Sequence, residues 1–333
     1  MRGGQSLSDE VVAFIRQKFN FAGIVVAIGR LDLQSSHTNI IAAPGAPEAD
    51  GDTLFEIGSL TKPITALTLA SMVRTSDLSL DTPIGELFPE GVKAPERDGR
   101  QITLLDLATH RSGLPRLPPN IGWSALISNN PYKNYNRAKL FSCLDAYRLR
   151  RAPGDDFEYS NFGYGLLGTL LADHADMSYA ELVQERVFAG LAMLSSRADY
   201  KDDFRLIQGH TAGGLPTPPW QTGALQGAGA VRSTINDMLR FLAIHLTAID
   251  EPLAPEARMT QEPRSDAFGG HRIGLAWLTG SRGNVWHNGG TGGYRSFMGF
   301  SPSRREAVVV LANAALDAVD AIGAHLLDPD IAL

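Results

Sequence analysis

Apolar residues along this chain fall into two periods, and their changeover along the sequence outlines the fold. Val11, Val12, Phe14, Ile15 and Phe19 recur at helical spacing and predict a short amphipathic helix over residues 9 to 19. Gly23 to Arg30 and part of 36 to 43 are rich in Val and Ile and read as strands, and a third strand leads through Thr53 to Ile57. These three are expected to form one edge of a sheet. The next run is different. Leu60, Ile64, Leu67, Leu69, Met72 and Val73 leave no polar face except Ser and Thr, and a helix that is apolar all round is buried.

The middle of the chain reads as helices separated by loops. Pro83, Pro89 and Pro95 break the stretch from Asp77 to Asp98, and Thr103 then opens a short helix that Gly113 stops. Residues 114 to 136 are rich in Pro and Asn, lack periodicity, and predict a long loop of the kind that often shapes a site. Helices are expected over 137 to 149 and 162 to 174. Ser178 and Glu181 form a capping box for another, and Ser233 or Thr234 caps a helix through Leu246, with Asp237 near its positive end. Between the last two of these, residues 209 to 230 are a Gly-, Pro- and Thr-rich loop.

Near the C-terminus the period returns to two. Short strands are predicted over 273 to 278, 284 to 287, 294 to 300 and 307 to 311, joined by tight turns, with an apolar helix over 314 to 327. Strands at both ends and helices between them predict an α/β fold of the α+β type. One antiparallel sheet would be built from both termini and covered by helices. The expected division is a discontinuous sheet domain, 1–80 with 225–333, and a mainly helical domain, 81–224.

Composition narrows the class. The chain has 333 residues, 44% hydrophobic and 20% charged, a net charge of -6 and a pI near 5.8, which argues against a nucleic-acid-binding face. Cys143 is the single cysteine, so neither an internal disulfide nor a cysteine-based metal site can form. The N-terminal residues lack an apolar signal core, and the first apolar run, Gly23 to Gly29, is too short to span a membrane. The expected location is the cytoplasm, or the periplasm or exterior if a signal has been removed.

Within the buried helix, one charge changes the reading. Lys62 stands three residues after Ser59, so hydroxyl and amine share one helix face. A buried lysine tends to lose its proton and can then serve as a base. Ser59 is therefore a candidate nucleophile activated by Lys62. It is equally well placed as the N-cap of a helix whose first residue is Leu60.

Three other places offer chemistry. In Tyr159-Ser160-Asn161, a phenol can relay protons, while Asn161 can hold a substrate amide or carbonyl or cap the helix that follows. Trp286-His287-Asn288-Gly289-Gly290-Thr291-Gly292-Gly293 allows backbone to approach a ligand closely, and an N–H there can face an oxyanion. It lacks the spacing of a phosphate loop. Thr109 to Pro115 carries His110 and Arg111 but reads as a helix stop. No Gly-x-Ser-x-Gly elbow or His-Glu-x-x-His pair occurs, and the remaining histidines show no ligand spacing.

Taken in order, these motifs resemble the serine β-lactamase and penicillin-binding-protein superfamily. The similarity is to its class C-like branch, with family VIII carboxylesterases and D-alanyl-D-alanine carboxypeptidases. Ser59-Leu-Thr-Lys62 matches Ser-x-x-Lys, Tyr159-Ser-Asn161 matches Tyr-x-Asn, and His287-Asn-Gly289 stands where β-lactamases carry Lys-Thr-Gly. Leu107 to Pro115 is similar to the family's Leu-Leu-Thr-His-Thr-Ser-Gly-Leu-Pro segment. Gly227 to Thr234 with Asp237 is similar to its later Gly-Gly-Leu-x-Ser-Thr-x-x-Asp element.

The resemblance implies a β-lactamase/transpeptidase-like fold with the active site at the seam of the two domains. It implies that Ser59 attacks an ester or amide carbonyl, with Lys62 and Tyr159 moving the proton and either one as base. The N–H groups of Ser59 and Gly290 would form the oxyanion hole. Asn161, His287, Asn288 and Gly289 would contact substrate. No metal or organic cofactor is implied, and the expected partner is a small ester or amide. His287 in place of lysine is a poorer carboxylate partner and lowers the expectation of efficient penicillin hydrolysis. The leading expectation is a carboxylesterase on short acyl esters. The alternatives are a β-lactamase or D-amino-acid-specific peptidase, a biosynthetic transacylase, and a non-catalytic binding module.

Overall fold

A computed structural model describes residues 7–122, 128, 130–246 and 252–333. Its frame is an eight-stranded antiparallel sheet. In chain order the strands are β1 (Val25–Leu31), β2 (Ser36–Ala42), β3 (Ser265–Asp266), β4 (Arg272–Ile273), β5 (Leu278–Thr279), β6 (Val285–Gly290), β7 (Arg295–Ser301) and β8 (Glu306–Ala312). Their spatial order is β2-β1-β8-β7-β6-β5-β4-β3, so strands from the two ends of the chain meet where β1 pairs β8, with Ile28 opposite Val310.

Both faces of the sheet are covered. Val25 and Ala27 join the large core beneath one face, while Val26 and Ile28 join Val308, Val310 and Phe297 on the other. Successive side chains of a strand point to opposite faces, so a strand covered on both sides needs apolar residues at every position. That is why β1 and β8 read as unbroken apolar runs. The second face is closed by α1 (Asp9–Lys18) and by a C-terminal helix, Ala318–Leu327. The sequence pattern runs that last helix from 314, but Ala314 instead bridges His210, and the helix begins four residues later.

The first face carries the helix Ile235–Leu246, packed on β1, β7 and β8, and the same core holds α2 (Thr61–Thr75), buried from Thr61 to Met72. Its threonines hide their hydroxyls by donating to carbonyls one turn back, Thr65 to Thr61 at 3.1 Å and Thr68 to Ile64 at 2.9 Å. Around it pack the helices Asn161–His174, Gln226–Gly229 and Ala254–Gln261. No helix among the described residues is long and apolar enough to cross a membrane.

Three local expectations are corrected. Phe55–Glu56 does not extend the sheet edge; it pairs with Arg232–Ser233 in a separate two-stranded ladder. The run 273 to 278 is not one strand. Gly274 N–H donates to the Trp277 carbonyl at 2.8 Å, and Ala276 takes a φ of 69°, so the chain turns there between β4 and β5. That turn seats the fully buried Trp277 against His245 and Phe300. The helix expected to reach Leu149 ends at Ala146. Part of the loop 114 to 136 lies outside the described residues.

Candidate active site

Ser59 is the middle residue of a single 3-10 turn, Gly58–Leu60, that runs into α2. It does not cap that helix. The residue ahead of α2 is Leu60, with no side-chain cap bond, and the Ser59 hydroxyl is engaged elsewhere. The turn is pinned from both sides. Ile57 N–H donates to the Val231 carbonyl at 3.2 Å, and the Ser296 hydroxyl donates to the Ile57 carbonyl at 2.8 Å.

Glycine is required where this turn lies on β6. Gly58 has a φ of +51°, and a Cβ there would come within 2.6 Å of Gly290 N. A side chain at Gly289 would collide with the Ile57 carbonyl and come within 2.9 Å of Ser59 N. Without side chains in the gap, the backbone nitrogens of Ser59 and Gly290 are held on adjoining segments.

Lys62 is fully buried and makes three contacts, with Ser59 Oγ at 2.9 Å, Asn161 Oδ1 at 2.9 Å and the Ala228 carbonyl at 2.8 Å. Burial, with the Arg116 charge adding to it, pushes its pKa well below the usual lysine range. A neutral amine has two N–H bonds and one lone pair. Carbonyl oxygens only accept, so Asn161 and Ala228 take the two N–H groups and the lone pair is left for the Ser59 hydroxyl.

Tyr159, Ser160 and Asn161 arrive together. Ser160, not Asn161, is the N-cap of the helix Asn161–His174, its hydroxyl accepting from Gly163 N–H at 2.8 Å. Asn161 is thereby free for the site, where its amide nitrogen donates to Tyr132 OH at 3.0 Å. Tyr159 is half-buried, its ring centroid 4.8 Å from Lys62 Nζ and 5.1 Å from the Arg116 guanidinium. Burial raises its pKa above the usual phenol value. The Ser59 hydroxyl and Arg116 oppose that effect but do not overcome it, so it is a proton donor at neutral pH.

Under this turn lies His110, the helix-stop histidine. Its ring lies tilted against Tyr159 with centroids 4.4 Å apart, and its Nδ1 accepts Ser160 N–H at 3.0 Å. His287 is buried on β6, with Nδ1 2.6 Å from the Asn288 carbonyl. A carbonyl cannot donate, so Nδ1 carries the hydrogen. Burial pushes its pKa down to about 3, so the ring is neutral. Asn288 lines the cleft but donates its amide N–H to Asp320 at 2.8 Å.

Ser59 opens onto two spaces. A cleft of about 690 Å³ is lined by Arg116, Tyr159, His287, Trp286 and Arg295, among others. A much smaller pocket of about 30 Å³ lies between Tyr132, Trp220, Thr222, Gly229 and Gly290. Arg295 is neutralised by Asp317 and Asp320. Sequence reasoning brought Ser59, Lys62, Tyr159, Asn161, His287, Gly289 and Gly290 to one place. It passed over Tyr132, Trp220 and Arg116, which sit in aperiodic loops, and the Ala228 carbonyl, since any residue carries one.

Glu56 was also passed over, although a lone carboxylate in the run Leu54 to Leu60 is a visible oddity. It is buried, its Oε1 accepts Trp220 N–H at 2.6 Å, Arg232 stands 3.9 Å away, and Oε2 has no hydrogen-bond partner among the described residues. Burial pushes its pKa from 4.5 up to about 7, while Thr291, Arg232 and Trp220 pull it back only in part. Between those values the folded protein holds a proton that the unfolded chain has released. This stabilisation is complete below pH 4.5 and is lost as pH rises through 7. Glu56→Gln keeps the acceptor for Trp220 without the charge. Denaturant melts at pH 5 and pH 8 should therefore show wild type losing about 2–3 kcal/mol relative to the variant across that interval. Parallel behaviour of the two proteins would contradict the assignment.

Residues 20–332 match the family described as Beta-lactamase. The chain belongs to that family. It is a serine hydrolase of the β-lactamase and DD-peptidase type. It is 28% identical over 278 residues to the D-alanyl-D-alanine-carboxypeptidase/endopeptidase AmpH of Escherichia coli K12, covering 78% of this chain and 71% of that protein. It is 26% identical to the unguisins hydrolase ungD' of Aspergillus campestris, over 96% of this chain and 64% of that one. In fold it superposes on a beta-lactamase/D-alanine carboxypeptidase from Yersinia pestis with a TM-score of 0.81 at 21% identity, over 96% and 98% of the two chains.

Proposed function

We propose that this family member works through an acyl-enzyme on Ser59 and acts chiefly as a carboxylesterase on short acyl esters. The observation that carries the reading is the pair of carbonyl acceptors on Lys62, which leaves its lone pair facing Ser59 Oγ at 2.9 Å. Lys62 takes the Ser59 proton as Oγ bonds to the acyl carbon. The backbone N–H groups of Ser59 and Gly290 receive the oxyanion. As the bond from acyl carbon to leaving oxygen breaks, Tyr159 gives its proton to that oxygen, and the new Lys62 ammonium steadies the phenolate. In deacylation, water gives a proton to Tyr159 and its hydroxide to the acyl carbon, and Ser59 leaves with the proton from Lys62. Water carries the acyl group away, and every proton is accounted for.

The preference for neutral esters over penicillins rests on His287. A neutral imidazole stands where β-lactamases carry a lysine, so a substrate carboxylate meets no cation there. A β-lactamase or D-amino-acid peptidase is the second reading. It draws support from the similarity to AmpH and from Arg116, an exposed guanidinium on the cleft wall that a carboxylate can reach.

One assay separates the two. Initial rates with p-nitrophenyl butyrate and a chromogenic cephalosporin are compared, and intact mass is read for an acyl adduct on Ser59. Faster ester turnover with an adduct is the expected result. A cephalosporin rate well above the ester rate would favour the second reading.

A further inference from the structure

Ser59 stands between a small pocket and a wide cleft, and the proton donor decides which half of the substrate enters each. The two spaces adjoin, with Tyr132, Asn161 and Trp220 bordering both, but Tyr159 lines the cleft and not the pocket, which is floored by Gly58, Ala228 and Gly229. The leaving oxygen must reach Tyr159 to be protonated, so the leaving group lies in the cleft and the acyl chain is directed to the other side of Ser59. We infer that the pocket closed by Tyr132 and Trp220 takes the acyl half. The preferred substrate is then a short acyl group, acetyl or propionyl, carried on a bulky alcohol or amine. This rests on the Ser59 acyl-enzyme reading above and adds the size and placement of each half.

The volumes differ steeply, about 30 Å³ against about 690 Å³. One water-sized group needs roughly 10–15 Å³ on this measure, so the pocket admits only about two such groups. Its walls are fixed. The Tyr132 and Trp220 rings meet edge to face at 5.4 Å, and Tyr132 OH accepts the Asn161 amide N–H at 3.0 Å. Trp220 N–H is held by Glu56 at 2.6 Å, and Thr222 N–H donates to Tyr200 OH at 2.8 Å. These ties hold the wall at the backbone of Trp220 and Thr222 and at the ring tip of Tyr132.

A peptidase acting on a peptide chain would need room on the acyl side, because there the chain itself is the acyl group. The pocket denies that room, so its size separates a short-acyl esterase from a peptidase within the same mechanism.

The pocket can be altered in both directions. Trp220→Ala removes a wall while keeping the N–H that Glu56 holds. Gly229→Ala fills the floor: a Cβ there would lie 3.9 Å from the Gly58 carbonyl carbon and oxygen and from Thr222 Cγ2, an ordinary contact that leaves the backbone unstrained. The experiment measures kcat/KM for p-nitrophenyl acetate, propionate, butyrate and hexanoate on wild type and both variants. One misfitted methylene in a tight pocket changes kcat/KM by about 10- to 200-fold. Wild type should fall by at least about tenfold between propionate and hexanoate. Trp220→Ala should raise the hexanoate-to-acetate ratio by about tenfold or more, and Gly229→Ala should lower the propionate-to-acetate ratio. A chain-length profile that is flat in wild type, or unmoved in both variants, overturns the pocket assignment while the Ser59 reading stands. Absence of any ester cleavage by wild type overturns both.

Discussion

Ser59→Ala is expected to lower kcat/KM for p-nitrophenyl acetate on the order of a million-fold, to the level left by the remaining binding groups, with the folded structure intact. The expectation follows from how the site is built. The Ser59 hydroxyl is the group that both Lys62 and Tyr159 face, and among the described residues it is the hydroxyl hydrogen-bonded to that amine. The change removes one oxygen from a turn whose geometry is set by Ile57, Gly58 and β6 rather than by the side chain. The melting temperature should accordingly move by no more than a few degrees. Intact mass should show no acyl adduct with the same ester. Ester turnover that survives in the variant would remove Ser59 from the mechanism and with it the acyl-pocket assignment.

Lys62→Met is expected to reduce kcat by about 10²- to 10⁴-fold, the usual contribution of a positioned proton carrier. Methionine matches the length and burial of the amine without its lone pair. The change has a second signature, in pH. Because burial lowers the Lys62 pKa, the wild-type rate should rise with pH as the amine loses its proton and should plateau below the ordinary lysine value. In the variant that acid limb should vanish. The loss also leaves Asn161 Oδ1 and the Ala228 carbonyl without their donor, so circular dichroism must accompany the kinetics. A pH–rate profile with its acid limb intact in Lys62→Met would assign the base role to another group.

These results bear on how one fold serves several acyl donors. The atoms proposed to move protons, Ser59 Oγ, Lys62 Nζ and the Tyr159 phenol, do not distinguish an ester from an amide. The choice lies around them: neutral His287 in place of a cation, Arg116 at the rim, and the volumes on either side of Ser59. Substitutions at Trp220 and Gly229 act on that choice without touching the groups that move protons.

Much of this was legible without coordinates. The apolar runs of β1 and β8 and the shorter strand patterns of β6 and β7 marked a sheet drawn from both ends of the chain, because period-two and unbroken apolar patterns depend only on local side-chain placement. The buried character of α2 was equally plain. A charge inside such a helix is improbable unless it is used, which is why Ser59 and Lys62 stood out. Tyr159 and the glycines after His287 added weight because motif order is a property of sequence alone.

Local pattern failed where long-range contact decides. It placed Phe55–Glu56 at the sheet edge, although its partner, Arg232–Ser233, lies far along the chain. It offered Ser59 as a helix cap and Asn161 as another, whereas the fold gives capping to Ser160 and frees both residues for Lys62. Fold type and the pairing of the Ser59 hydroxyl with the Lys62 amine were therefore legible in sequence, through periodicity and spacing over a few residues. The charge states of Lys62, Glu56 and His287, and the two unequal spaces beside Ser59, were decided only by tertiary structure. Desolvation and cavity shape depend on what packs around a group, and those neighbours come from distant parts of the chain.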